Sequence, residues 1–143
     1  MKNLKNTPAT ELFTKSLDKF LAKDMKGWSE FLADDVIADL PFAPEGTPNH
    51  FEGKEAFYGF LKDYPSFINL KSITAMKIHA TDDKNVVIAE LSLSGEVIAN
   101  GNPYEMSYVT VVTFRDGLIV NYRDYWNPQV FMKAMGGINF ASE

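Results

Sequence analysis

Proton transfer near neutral pH needs a carboxyl group, an imidazole or a phenol held away from bulk water, and this chain offers each in a patterned setting. Asp124 alternates with Val120, Tyr122 and Trp126, so a strand there puts a carboxylate on a face of apolar groups. Burying an unpaired carboxylate is costly, and a carboxyl group in apolar surroundings titrates upward, which suits a general acid or base. A contact with Arg123, or a capping role near the strand end, is the plainer alternative. His50 lies in an irregular stretch, residues 43–53, that holds two prolines and two glycines. An imidazole there can reach a pocket mouth and share proton transfer with a carboxylate, the plainer alternative being a surface histidine. Tyr58, Tyr64, Tyr104, Tyr108 and Tyr122 supply hydroxyl donors able to polarise a carbonyl. Trp28, Phe57, Tyr108, Tyr122 and Trp126 are candidates to line a cavity, although aromatic residues at these spacings also serve as core.

Other chemistries lack their residues. Cysteine is absent, which removes disulfides, thiol nucleophiles and thiolate metal sites, and suits a reducing cytosol. No His/Asp/Glu cluster has ligand spacing, so no metal is expected. With no phosphate loop, dinucleotide fingerprint or nucleophile elbow, no cofactor is expected either. A net charge of −5 and thinly spread Lys and Arg oppose nucleic acid as a partner. No apolar run reaches membrane-spanning or signal-peptide form, and the expected location is cytoplasmic.

The elements that must position these groups are legible in periodicity. Thr7-Pro8 reads as a cap with proline at the first helical position, ahead of Phe13, Leu17, Phe20 and Leu21 at helical spacing. Asp24 reads as the cap of a shorter helix through Trp28, Phe31 and Leu32. Residues 36–42 alternate as a strand, with Val36, Ala38, Leu40 and Phe42 on one face and Ile37 and Asp39 on the other. A third helix carries Phe57, Phe60, Leu61 and Tyr64 and stops at Pro65.

Strand-like runs follow over 67–81, 86–99, 104–115 and 118–126, with a hairpin turn at Asp116-Gly117. In the second run Glu90, Ser92, Ser94 and Glu96 form the wet face, an inward Glu90 being left open. His79 shares parity with Lys77 and Thr81 and is expected to face water. Asn127-Pro128 opens a short last helix that Gly136-Gly137 closes. Helices first and long hairpin strands afterwards imply one α+β domain over residues 1–143, a curved antiparallel sheet bending around three helices plus a short C-terminal helix.

That order, with the segments PFAPEGTPNHFEGKEAF, NGNPYEMSYVTVVTFRDG and YRDYWNPQVFMKAMGG, resembles the nuclear transport factor 2-like superfamily, in particular its SnoaL-like branch and the phenazine-biosynthesis A/B proteins. The resemblance implies a cone-like pocket between the concave sheet and the first helices, and homodimerisation through the other sheet face. Abundant β-branched residues over 109–113 add to the second expectation.

The resemblance also brings Asp39 forward. Ketosteroid isomerases of this superfamily carry a proton-shuttling carboxylate near the end of the first strand, and the local text here is Asp39-Leu40-Pro41-Phe42. Phenazine-type relatives pair a histidine with an acid, which adds to His50, and related enzymes often place an acid where Asp124 stands. Two familiar chemistries fit poorly. Phe13, Leu17 and Phe20 occupy the first helix where the isomerases hold a tyrosine, and with only Arg115 and Arg123 the Asp–Arg–Asp set of epoxide hydrolases is incomplete. The expected function is a cofactor-independent isomerase, cyclase or dehydratase acting on a small, largely apolar or aromatic metabolite. A non-catalytic binding module and a dimeric interaction domain of the same fold are the alternatives.

Overall fold

Within residues 7–136, those that the computed structural model describes, two helices come first: α1 (Ala9–Leu21) and α2 (Met25–Ser29). Helical spacing puts Leu12, Phe13 and Ser16 on the buried face of α1. Pro8, not Thr7, occupies its cap position, and no side chain caps it. Asp24 caps α2 as its type suggests, accepting from the Gly27 amide at 2.8 Å, a contact that contributes about 1 kcal/mol. The helix is shorter than its apolar spacing predicts. Ile119 N–H donates to the Phe31 carbonyl at 2.7 Å and Leu32 pairs with Ile119, so the sheet claims the backbone that a longer helix would need.

Strand β1 (Leu32–Asp39) therefore starts and stops earlier than predicted. Pro41 has no amide to give a ladder, and Ala43 N–H closes a turn on the Leu40 carbonyl. Phe42 is consequently exposed, packing on Tyr125 on the far side of the sheet at a ring separation of 5.5 Å. The stretch read as irregular contains a short strand, β2 (His50–Glu52), paired antiparallel with β1. α3 (Lys54–Leu61) ends before Pro65, which instead lies in the first turn of the one-turn α4 (Tyr64–Phe67), where its missing N–H leaves no hydrogen bond unmade.

The long strands β3 (Ile68–Ala80), β4 (Val86–Val97), β5 (Pro103–Arg115) and β6 (Leu118–Trp126) complete one curved six-stranded sheet ordered β2-β1-β6-β5-β4-β3. Every neighbouring pair is antiparallel except β1–β6, which is parallel and amends the expected all-antiparallel sheet. Asp116 and Gly117 both take positive φ, 54° and 85°, giving β5–β6 the tight two-residue turn their types favour.

Curvature has a local cause. Register shifts after Leu70 and after Ile73 bend β3 against β4, and Gly95 sits where the backbones converge. A Cβ on Gly95 would meet the Asn69 carbonyl oxygen at 2.2 Å and Leu70 Cα at 2.9 Å.

The last helix, α5 (Pro128–Met135), is fixed at both ends. Asn127 accepts from Gln129 N–H at 2.9 Å, and Gly136 adopts the left-handed conformation; Gly137 lies outside the described residues. Asn100 Nδ2 donates to the Ala134 and Met135 carbonyls, and Asn102 Nδ2 donates to Ala134. The β4–β5 connection thus holds α5 over the open end of the sheet. At the other end Val36, Ala38, Ala89 and Val112 pack under α1–α3 as a closed core. No helix among the described residues is long and apolar enough to cross a membrane.

Candidate functional site

Between these two ends lies a cavity of about 350 Å³. Phe13, Leu17 and Phe20 of α1 face Leu91, Leu93, Tyr108 and Trp126 of the sheet, while Phe131 and Met135 of α5 approach from the end. Trp28 and Phe57 back it while being 2% and 0% exposed, with ring centroids 5.5 Å apart and Tyr122 5.4 Å from Phe57. The same rings are core and cavity wall.

Strand parity delivers the one carboxylate that the described residues bring to this lining. Tyr122, Asp124 and Trp126 alternate inward on β6, and Asp124 faces Thr110 directly across the β5–β6 ladder. Thr110 Oγ1 donates to Asp124 Oδ1 at 2.9 Å. Since no buried side-chain oxygen among the described residues lacks a partner, the accessible surface left on Asp124 faces the cavity. Removal from bulk water pushes its carboxyl up to about 7, the Thr110 hydrogen bond pulling the other way. Such a group exchanges protons in either direction near neutral pH.

Arg123 does not neutralise Asp124. As the adjacent strand residue it points to the other face, where its Nη1 donates to Asn121 Oδ1 at 3.2 Å. The plainer reading of Asp124 as half of an Asp–Arg contact is thereby set aside.

Above Asp124, Tyr104 and Tyr108 meet through their hydroxyls at 2.7 Å, and Tyr64 of α4 brings a third tyrosine to the same lining. Desolvation raises all three, Tyr104 to about 12, and raises Tyr122 as well, with the Asp124 charge acting in the same direction. They are neutral hydroxyls at physiological pH. Tyr58 is packed against the core instead.

Asp39 and His50 come together, but outside the cavity lining. Asp39 pairs across the parallel ladder with Arg123 and so shares its outward face, opposite to Asp124. His50, expected in a loop at the pocket mouth, opens β2 instead; its Nδ1 lies 2.6 Å from Asp39 Oδ1 and its Nε2 2.9 Å from Glu52 Oε2. The Asp39 and then the Glu52 hydrogen bond raise the imidazole pKa. Glu90 also faces outward and holds His79, 2.6 Å from its Nε2. No group of three or more His, Asp or Glu among the described residues is placed to hold a metal ion.

The lining residues that sequence reasoning passed over are Thr110 and the convergence of Tyr64 with Tyr104 and Tyr108. Thr110 carries a signal only once the β5–β6 register is known, because the Asp116-Gly117 turn sets which residue faces Asp124.

A SnoaL-like domain profile matches residues 13–122, so most of the cavity wall lies inside the matched segment and Asp124 just beyond it. The chain is 47% identical over 129 residues to an uncharacterized Bacillus subtilis protein, YesE, covering 90% of this chain and 88% of the relative. A crystal structure from Bacillus subtilis, provisionally named an isomerase, superposes with a TM-score of 0.87 at 46% identity, covering 94% of this chain and 96% of the other. An uncharacterized PhzA/B-like protein of Pseudomonas aeruginosa is 29% identical over 135 residues, 94% of this chain and 95% of its own length. With its curved six-stranded sheet, its helices and this profile match, the chain belongs to the SnoaL-like family of the NTF2-like superfamily.

Proposed function

We propose that the protein is a cofactor-independent isomerase, cyclase or dehydratase that transfers a proton on a small, largely apolar ring compound, with Asp124 as the acid–base group. The carrying observation is that Asp124 is, among the described residues, the one carboxyl group lining an aromatic cavity, desolvated to a pKa of about 7. The provisional naming of the Bacillus subtilis structure as an isomerase supports the same class. The chain's part in such a reaction is to exclude water with Trp28, Phe57 and Trp126, to hold the ligand against β6, and to take and return a proton at the Asp124 carboxylate. Thr110 orients that carboxylate from behind.

A thermal-shift screen of ring ketones and hydroxylated ring compounds, followed by turnover assays on the hits, tests this. Asp124→Asn is expected to lower turnover by roughly 10²–10⁴-fold while the folded state persists. Binding without turnover by the wild-type protein would overturn the reading in favour of a ligand carrier.

We further propose a homodimer paired through the outer sheet face. Val109 is a large apolar residue exposed there, and Phe42 and Tyr125 sit beside it around a broad depression of about 690 Å³. Light scattering is expected to give twice the chain mass at micromolar concentration; a monomer mass would contradict it.

A further inference from the structure

Asp39 and His50 lie outside the cavity, yet the strand that carries His50 joins the two segments that form the cavity's entrance. β2 is three residues long and sits at the sheet edge, paired with β1 alone. Before it, the 40–49 connection brings Thr47 and Pro48 to the lining; after it, Gly53 turns the chain into α3, which brings Phe57 and Phe60. Pro48, Phe60 and Phe67 both line the cavity and are exposed, so the cavity opens to solvent between that connection and α3–α4. Two backbone bonds bracket β2: Leu40 N–H donates to the Asn49 carbonyl at 2.9 Å and Gly53 N–H to the Val36 carbonyl at 2.7 Å.

The side chains add a third tie. His50 Nδ1 lies 2.6 Å from Asp39 Oδ1 on β1, and Nε2 lies 2.9 Å from Glu52 Oε2 on its own strand. An ionised carboxylate only accepts hydrogen bonds, so both contacts are satisfied only when both ring nitrogens carry protons. A neutral ring has one N–H, and its other nitrogen turns a lone pair towards a carboxylate. The other charged or titratable groups on that face beside Asp39 are Arg123, its partner in the parallel ladder, and Tyr125 of β6. The raised pKa of His50 means that the two-link state is present at low pH and is lost as pH rises through that value.

We propose that His50 is a positioning residue for the cavity entrance: its imidazolium, bridging Asp39 and Glu52, latches β2 to β1, and loss of its proton frees the 40–49 connection and α3 to part, so that ligand enters and leaves faster. The latch governs passage and not chemistry, and it stands or falls apart from the acid–base reading. Release makes opening more frequent without altering the closed cavity in which the ligand sits. Association and dissociation therefore speed up together while affinity holds.

The probe is N-phenyl-1-naphthylamine, an uncharged fluorophore, mixed in excess with the full chain carrying Asp124→Asn, whose cavity acid no longer titrates. Stopped-flow rates are expected to rise about threefold in both directions between about pH 5.5 and pH 8.5, a size set by an exposed ion pair, with the midpoint at which His50 titrates by imidazole NMR. Adding His50→Val keeps a strand-forming residue and removes both links, and should give the fast rates at both pH values. Adding Glu52→Gln should give the slow rates at both, because the amide can accept from a protonated ring nitrogen or donate to a bare one. Rates independent of pH in the Asp124→Asn chain overturn the proposal. So do slow rates in the folded His50→Val variant, or a pH response that persists with Glu52→Gln. Rates that follow chain concentration would place the effect in the pairing of two copies and overturn it as well.

Discussion

Thr110 and Asp124 face each other directly across the β5–β6 ladder, and the Thr110 hydroxyl donates to the Asp124 carboxylate at 2.9 Å. A hydrogen bond to the charged form opposes the desolvation that raises the group. Thr110→Val keeps the shape and removes the donor. The Asp124 titration midpoint should rise by roughly a unit, read by carboxyl-carbon NMR. An unchanged or lowered midpoint would mean that the hydroxyl does not stabilise the carboxylate.

The same group links stability to pH. Its folded pKa of about 7 lies above its ordinary value of 3.8, so the folded state binds the proton more tightly. The stabilisation is fully present below the ordinary value and is lost as pH rises through the folded one. Between about pH 5 and pH 8 the wild-type protein should lose on the order of 2–3 kcal/mol relative to Asp124→Asn. Urea unfolding of both proteins at the two pH values checks this, and parallel losses would contradict it.

Asp39 should prove separable from the cavity. Its hydrogen bond is the leading cause of the raised His50 pKa, and both groups lie outside the lining. In Asp39→Asn the His50 midpoint, followed by imidazole proton NMR, should fall towards 6.5 while affinity for cavity probes stays unchanged. Loss of probe binding in that variant would contradict the opposite-face placement.

Two glycines should respond with opposite signs to the same substitution. Gly95→Ala drives a methyl group into the backbone of Asn69 and Leu70 and should cost about 3 kcal/mol. Gly59→Ala, inside α3 with nothing within 4 Å of the new Cβ, should stabilise by about 0.5–1 kcal/mol. Thermal unfolding of the pair reads both, and equal shifts would show that the sheet bend does not depend on Gly95.

The legible part of the fold was local. Alternation on β6 put Asp124, Tyr122 and Trp126 on one face, and Asp116-Gly117 and Asn127-Pro128 named their turn and cap from residue type alone. The errors arose where tertiary pairing decides. Leu32 belongs to β1 because Ile119, 87 residues away in sequence, pairs with it, and no local pattern encodes that partner. His50 read as a loop residue because a three-residue strand between prolines and glycines has no periodicity of its own. The alternation that set Asp39 on the face opposite Val36 and Ala38 was present in the sequence, but which face borders the cavity depends on the parallel pairing with β6. The tyrosine cluster joins α4 to β5, a convergence of distant segments that spacing cannot reveal.

The most direct test of the account is the titration of Asp124 itself. Carboxyl-carbon NMR of the wild-type protein, with Asp124→Asn supplying the assignment, is expected to show one aspartate with a midpoint near 7. An Asp124 midpoint at the ordinary value of 3.8 would mean that the carboxylate is well solvated, and would remove the acid–base group on which the proposed function depends.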